Sequence, residues 1–87
     1  MWLVKIELVP GEGAQERTRE ELTAIAEAIE RQFPTERVLA HGGVGRFVVF
    51  AQVRSSSEGR AESWAREVLY EAVADALPDW RLDVFEV

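Results

Sequence analysis

The spacing of apolar residues changes along this chain in a fixed order, and that order is the strongest constraint on its fold. Residues 2–9, WLVKIELV, alternate, with Trp2, Val4, Ile6 and Leu8 on one face and Leu3, Lys5, Glu7 and Val9 on the other. Pro10-Gly11 ends this strand, and a helix enters between Gly13 and Thr18. Thr18 and Glu21 have the spacing of a capping box, in which a hydroxyl and a carboxylate satisfy two free amides. Leu22, Ile25, Ala26, Ile29 and Phe33 then recur at helical steps until Pro34.

Residues 36–41 and 44–53 read as two further strands. In the second, Phe47, Val49, Ala51 and Val53 share one face, and Arg46, Val48, Phe50 and Gln52 share the other. Ser55 and Glu58 form another possible capping box, opening a helix that runs to about Leu77. Its predicted buried stripe is Ala61, Ala65, Val68, Leu69, Ala72 and Ala76, with Trp64 and Val73 at the margins. After Pro78-Asp79, WRLDVFEV alternates again, with Trp80, Leu82 and Val84 opposite Arg81, Asp83, Phe85 and Val87.

The order β-α-β-β-α-β, with right-handed crossovers, leads to an α+β fold of the ferredoxin-like split β-α-β kind. Its four-stranded antiparallel sheet would carry both helices on one face, with the first and third strands central. All 87 residues fit one domain, and no linker or low-complexity tract divides them.

The chain has no cysteine, which removes disulfides, thiolate metal sites and cysteine nucleophiles. Apolar residues make up 47%, enough for a core, and association is a common supplement in so small a domain. MWLVKIELVPGEG lacks a basic segment, a long apolar run and a small-residue cleavage site. No stretch approaches the about 18–20 apolar residues of a membrane span. The expectation is a soluble, cytoplasmic protein without a membrane partner. The net charge of −6, with arginines scattered among glutamates, argues against nucleic acid.

Gly42, Gly43 and Gly45 stand beside His41, the one histidine. A phosphate cradle would need a helix to follow these glycines, and a strand follows instead. Gly42-Gly43 is therefore predicted as a tight hairpin turn whose residues need positive φ. His41 ends a strand with no second catalytic or metal-ligating group at a telling spacing. Ser55, Ser56 and Ser57 suit a helix start. Pairs such as Glu20-Glu21 or Asp75-Asp79 show no acid–base pattern, and the glutamates mostly decorate solvated helix faces. No catalytic residue, metal or cofactor is expected, and the balance is against an enzyme.

Other proteins of this fold supply tests. The CxxC of metal carriers is absent, and so is any asparagine of the kind an acylphosphatase site uses beside its arginine. Phe50 matches a base-stacking position of RNA-recognition modules, but the charge around it is wrong. VPGEGAQERTREELTAIAEAIE resembles the first loop and helix of ligand-binding ACT modules in outline, without their tight glycine at the helix start. None of these assigns a family.

The sheet face away from the helices carries more information. It is predicted to hold Leu3, Val9, Leu39, Val48, Phe50, Phe85 and Val87 among Lys5, Glu7, Arg46, Arg81 and Asp83. Leu39 falls there whether the turn contains two residues or four. A solvated face should be mostly polar, and a contiguous apolar group marks an association site. The first reading is thus a non-enzymatic association module, either a homodimer or a subunit docking on a partner protein, with Leu3, Leu39, Val48, Phe50 and Phe85 at the interface. The second is a small dimeric ligand-binding (ACT-like) domain or cofactor-free enzyme of the dimeric α+β barrel type. Its cavity would lie between sheet and helices, with His41 and Arg46 as ligand contacts.

Overall fold

β1 (Trp2–Pro10) and β3 (Arg46–Val53) form the centre of one antiparallel sheet, flanked by β2 (Arg37–Gly43) and β4 (Trp80–Glu86) in the order β2-β3-β1-β4. The computed structural model describes residues 1–43 and 45–87. The protein is α+β, with a four-stranded antiparallel sheet and two helical segments, one in each β-α-β half. The expected strand start at position 44 lies outside the described residues.

The first helix, α1 (Arg19–Gln32), starts where its cap dictates. Thr18 Oγ1 accepts from the Glu21 amide at 3.1 Å, and the Glu21 carboxylate reaches back to the Thr18 amide. Leu22, Ala26, Ile29 and Phe33 are buried on its inner side. They meet Val4, Ile6 and Leu8 of β1 and Phe47, Val49, Ala51 and Val53 of β3 in a single core. This parity is the expected one, since a strand places alternate side chains on opposite faces.

The second helical segment is less regular. It comprises α2 (Glu58–Trp64), a π-helical turn (Ala65–Tyr70) and α3 (Glu71–Ala76). Its cap is Ser57, whose Oγ accepts from the Arg60 amide at 3.2 Å, rather than the expected Ser55. Ser55 instead closes the preceding turn, donating to the Ser57 carbonyl at 3.0 Å. The buried residues are Ala61, Ala65, Leu69, Val73 and Leu77, spaced by four throughout. At 3.6 residues per turn each such step drifts by about 40°, which would carry Leu77 to the far side of the rod. The wider π turn absorbs that drift. It also expels Val68, expected in the stripe but 44% exposed.

Two other expectations are corrected. Gly42 and Gly43 are strand residues of β2, paired with Phe47 and Arg46, and the chain reverses between Gly43 and Arg46. Among the described residues of this hairpin, the positive φ belongs to Gly45, at +75°. Gly42 serves close packing instead: a Cβ there would lie 2.6 Å from Leu22 Cβ of α1.

In β4, Glu7 pairs with Val84 while the next residue, Leu8, pairs with Leu82. Asp83 is thus the extra residue of a β-bulge, and every side chain beyond it changes face. Val84 moves to the uncovered face. Phe85 and Val87, expected there, pack against the core instead. The Arg66 guanidinium lies over the Phe85 ring at 4.5 Å.

Candidate functional site

The register places Leu3, Leu39, Val48 and Phe50 on the uncovered face and removes Phe85 from it. Leu39 lies opposite Phe50, and Leu3 sits diagonally from Phe50, opposite Gln52. These three side chains are 69%, 39% and 59% exposed for Leu39, Phe50 and Leu3. They form an apolar group at the end of the sheet where β2 begins. A shallow cavity of about 460 Å³ lies there, between these side chains, Glu36, Arg37 and Gln52.

The other half of the face is ionic. Glu7 is only 3% exposed although no helix covers it. Arg46 Nε donates to Glu7 Oε1 at 2.6 Å, and Lys5 Nζ stands 3.6 Å from Oε2. Two long cationic side chains thus lie over one carboxylate, keeping water from it while neutralising it. Lys5 also stands 5.9 Å over the Phe50 ring, so it joins the ionic half to the apolar half. Val48 lies between Glu7 and His41 in the pairing and is half-buried, at the border of the two halves.

His41 is exposed on this same face, opposite Val48. Neither His41 nor Arg46 can line a space between sheet and helices, because both side chains point away from the helices. That geometry removes the polar handle from the expected enzyme-like cavity. No group of three metal-ligating side chains occurs among the described residues.

Three interactions escaped the sequence reading. The first is the buried Glu7, for which charged Lys5 and Glu7 on one face of a central strand were the available signal. The second is Glu30 of α1, whose Oε2 accepts from the Ala40 amide at 2.9 Å. It occupies the outer edge of β2, where an unpaired amide would otherwise recruit another strand. The third is a clasp between loops. Arg17 donates to Asp79 Oδ1 at 2.9 Å, and Asp79 Oδ2 accepts from the Gln15 amide at 3.0 Å. The Asp79 carbonyl accepts from Gly11 N, also at 3.0 Å. The Arg17 hydrogen bond, aided by that of Gln15, holds the Asp79 carboxyl below its ordinary value.

No helix among the described residues is long and apolar enough to cross a membrane. No family model matches the chain, and neither a curated protein nor a solved structure matches it.

Proposed function

We propose that this protein is a non-enzymatic association module that pairs with a second copy of itself through the uncovered sheet face. The observation that carries this reading is the adjacency of Leu3, Leu39 and Phe50, three exposed large side chains on one face of one sheet. Covering a large apolar side chain is worth about 1.5–3 kcal/mol, so their exposure in the single chain favours association.

A second copy fits this face for three reasons. The apolar group is bordered by both signs of charge, with Lys5 and Arg37 on one hand and Glu36 and Glu86 on the other. A face carrying both signs can meet its own copy without gathering like charge, as a twofold interface requires. The size is also suitable. Strands of seven to nine residues at ~3.4 Å per residue and ~4.8 Å between strands give a flat area of about 500 Å². That is the scale of a standard interface, which buries about 800 Å² of accessible surface per partner. Finally, Glu30 occupies the Ala40 amide of β2, an edge strand, so at that point the edge offers no free donor to another strand.

The strand order, with the first and third strands central, supports the finer assignment to the ferredoxin-like arrangement. Light scattering across a dilution series tests the function. A mass twice the 9.8 kDa of one chain is expected. A single-chain mass at every concentration would contradict self-association.

A further inference from the structure

A second cavity adjoins the apolar group at the same end of the molecule, with Glu36, Arg37 and Gln52 lining both. Where β2 begins, β3 ends and α2 starts, a cavity of about 750 Å³ opens. Three arginines line it: Arg37 at the start of β2, Arg54 directly after β3, and Arg60 in the first turn of α2. Trp64, one helical turn beyond Arg60, lines it as well. Glu36 is the one acidic residue of the lining.

This local balance is the reverse of the chain as a whole, which carries 16 acidic and 10 basic residues. Of the six arginines elsewhere, Arg17, Arg46 and Arg66 are each matched to a carboxylate, by Asp79, Glu7 and Glu62, and Arg19, Arg31 and Arg81 are unmatched among the described residues. Among the described residues Arg37, Arg54 and Arg60 make no such pair. Three arginines lining one hollow against a single carboxylate give it an excess of positive charge, which favours an anion there. Guanidinium suits phosphate because its fork donates two parallel hydrogen bonds to adjacent oxygens.

Trp64 adds a second requirement. Its ring is fixed edge-to-face against Phe33, with centroids 5.7 Å apart and planes at 74°. An oriented indole beside cationic groups favours a ligand with a planar ring next to its charge. The volume lies within the about 300–1,000 Å³ typical of small-molecule sites.

We propose that this cavity binds a small phosphate-bearing molecule with a planar ring, of mononucleotide size, with Arg54 and Arg60 on the phosphate and Trp64 beside the ring. Arg37 borders the apolar group as well, so the residues that separate this site from self-association are Arg54, Arg60 and Trp64, which line this cavity alone.

The test is calorimetric titration at low ionic strength with pyrophosphate, ADP and adenosine. ADP is expected to bind more tightly than pyrophosphate, and adenosine not to bind measurably. Arg54→Gln and Arg60→Gln, both at exposed positions, should each weaken ADP binding by tenfold or more. Arg81→Gln, on β4 and absent from the cavity lining, should leave it unchanged. Far-UV circular dichroism of each variant establishes that the fold is retained. Failure of ADP and pyrophosphate to bind the wild type at millimolar concentration would overturn the proposal. So would equal weakening by Arg81→Gln, or adenosine binding as tightly as ADP. Because mass by light scattering is read separately, loss of this site and loss of the dimer are distinguishable.

Discussion

Gly42 and Leu22 are in such close contact that a side chain at position 42 has no space. A Cβ on Gly42 would lie 2.6 Å from Leu22 Cβ and 3.2 Å from the Leu22 carbonyl carbon and oxygen. The contact sets how closely α1 approaches β2. Three glycines of one hairpin therefore answer differently to substitution. Gly42→Ala should destabilise most, by about 1–3 kcal/mol, because backbone as well as side chain must give way. Gly45→Ala should cost about 1 kcal/mol through its positive φ. Gly43→Ala, with no neighbour nearer than 3.9 Å, should cost little. Urea unfolding of the three variants checks this ranking, and equal stability of all three would contradict it.

Glu7 is buried, whereas its partner Arg46 is 64% exposed along its side chain. The two ends of that pair are therefore unequal. Arg46→Leu leaves a poorly hydrated carboxylate with only Lys5 to balance it. Glu7→Leu releases two cations that already reach water. Arg46→Leu is expected to be the more destabilising, by about 1 kcal/mol or more. Denaturant midpoints of the two variants decide it.

The Arg17–Asp79 clasp should appear in the pH dependence of stability. Asp79 has a folded pKa below its ordinary 3.8. Its contribution is therefore fully present above that ordinary value and fades as pH falls through the lower folded one. Wild type should be more stable than Asp79→Asn at pH 7. The gap should narrow once pH drops below about 3.8. A gap that is unchanged on acidification would mean that the clasp does not stabilise through charge.

The π turn yields a deletion test. Removing Val68 brings the buried residues Leu69, Val73 and Leu77 one position closer to Ala65. The stripe then follows steps of four, three, four and four, which a regular α-helix keeps on one face. Deletion of Val68 is expected to retain the fold, within about 2 kcal/mol of wild type, because it removes the wider turn's inserted residue. Loss of cooperative unfolding would show that the π turn is needed for another reason.

What was legible in the sequence was local or periodic. Thr18 and Glu21 act within one turn, so their capping box could be read directly, and the alternation of β1 and β3 was enough to assign their faces. Phe85 was expected on the uncovered face and lies on the other, because its face depends on Asp83 bulging against Glu7 and Leu8 of another strand. Gly42 was misread for a related reason. A glycine needed for positive φ and one needed for close helix contact look alike until Leu22 is seen beside it. Val68 was misplaced because a stripe spaced strictly by four does not announce whether the helix will widen. Glu7 escaped because its burial is produced by side chains from two strands, Lys5 and Arg46.

The central claim is that the uncovered face joins two copies. Phe50→Asp tests it most directly, by placing a carboxylate in a dry contact, which costs several kcal/mol without a partner cation. Val68→Asp is the matched control, a similarly exposed apolar residue on the helical side. In size-exclusion chromatography with light scattering, wild type and Val68→Asp should run as dimers. Phe50→Asp should run as a monomer with its helical content retained. A wild type that is monomeric at high concentration, or a Phe50→Asp variant that remains dimeric, would contradict the account.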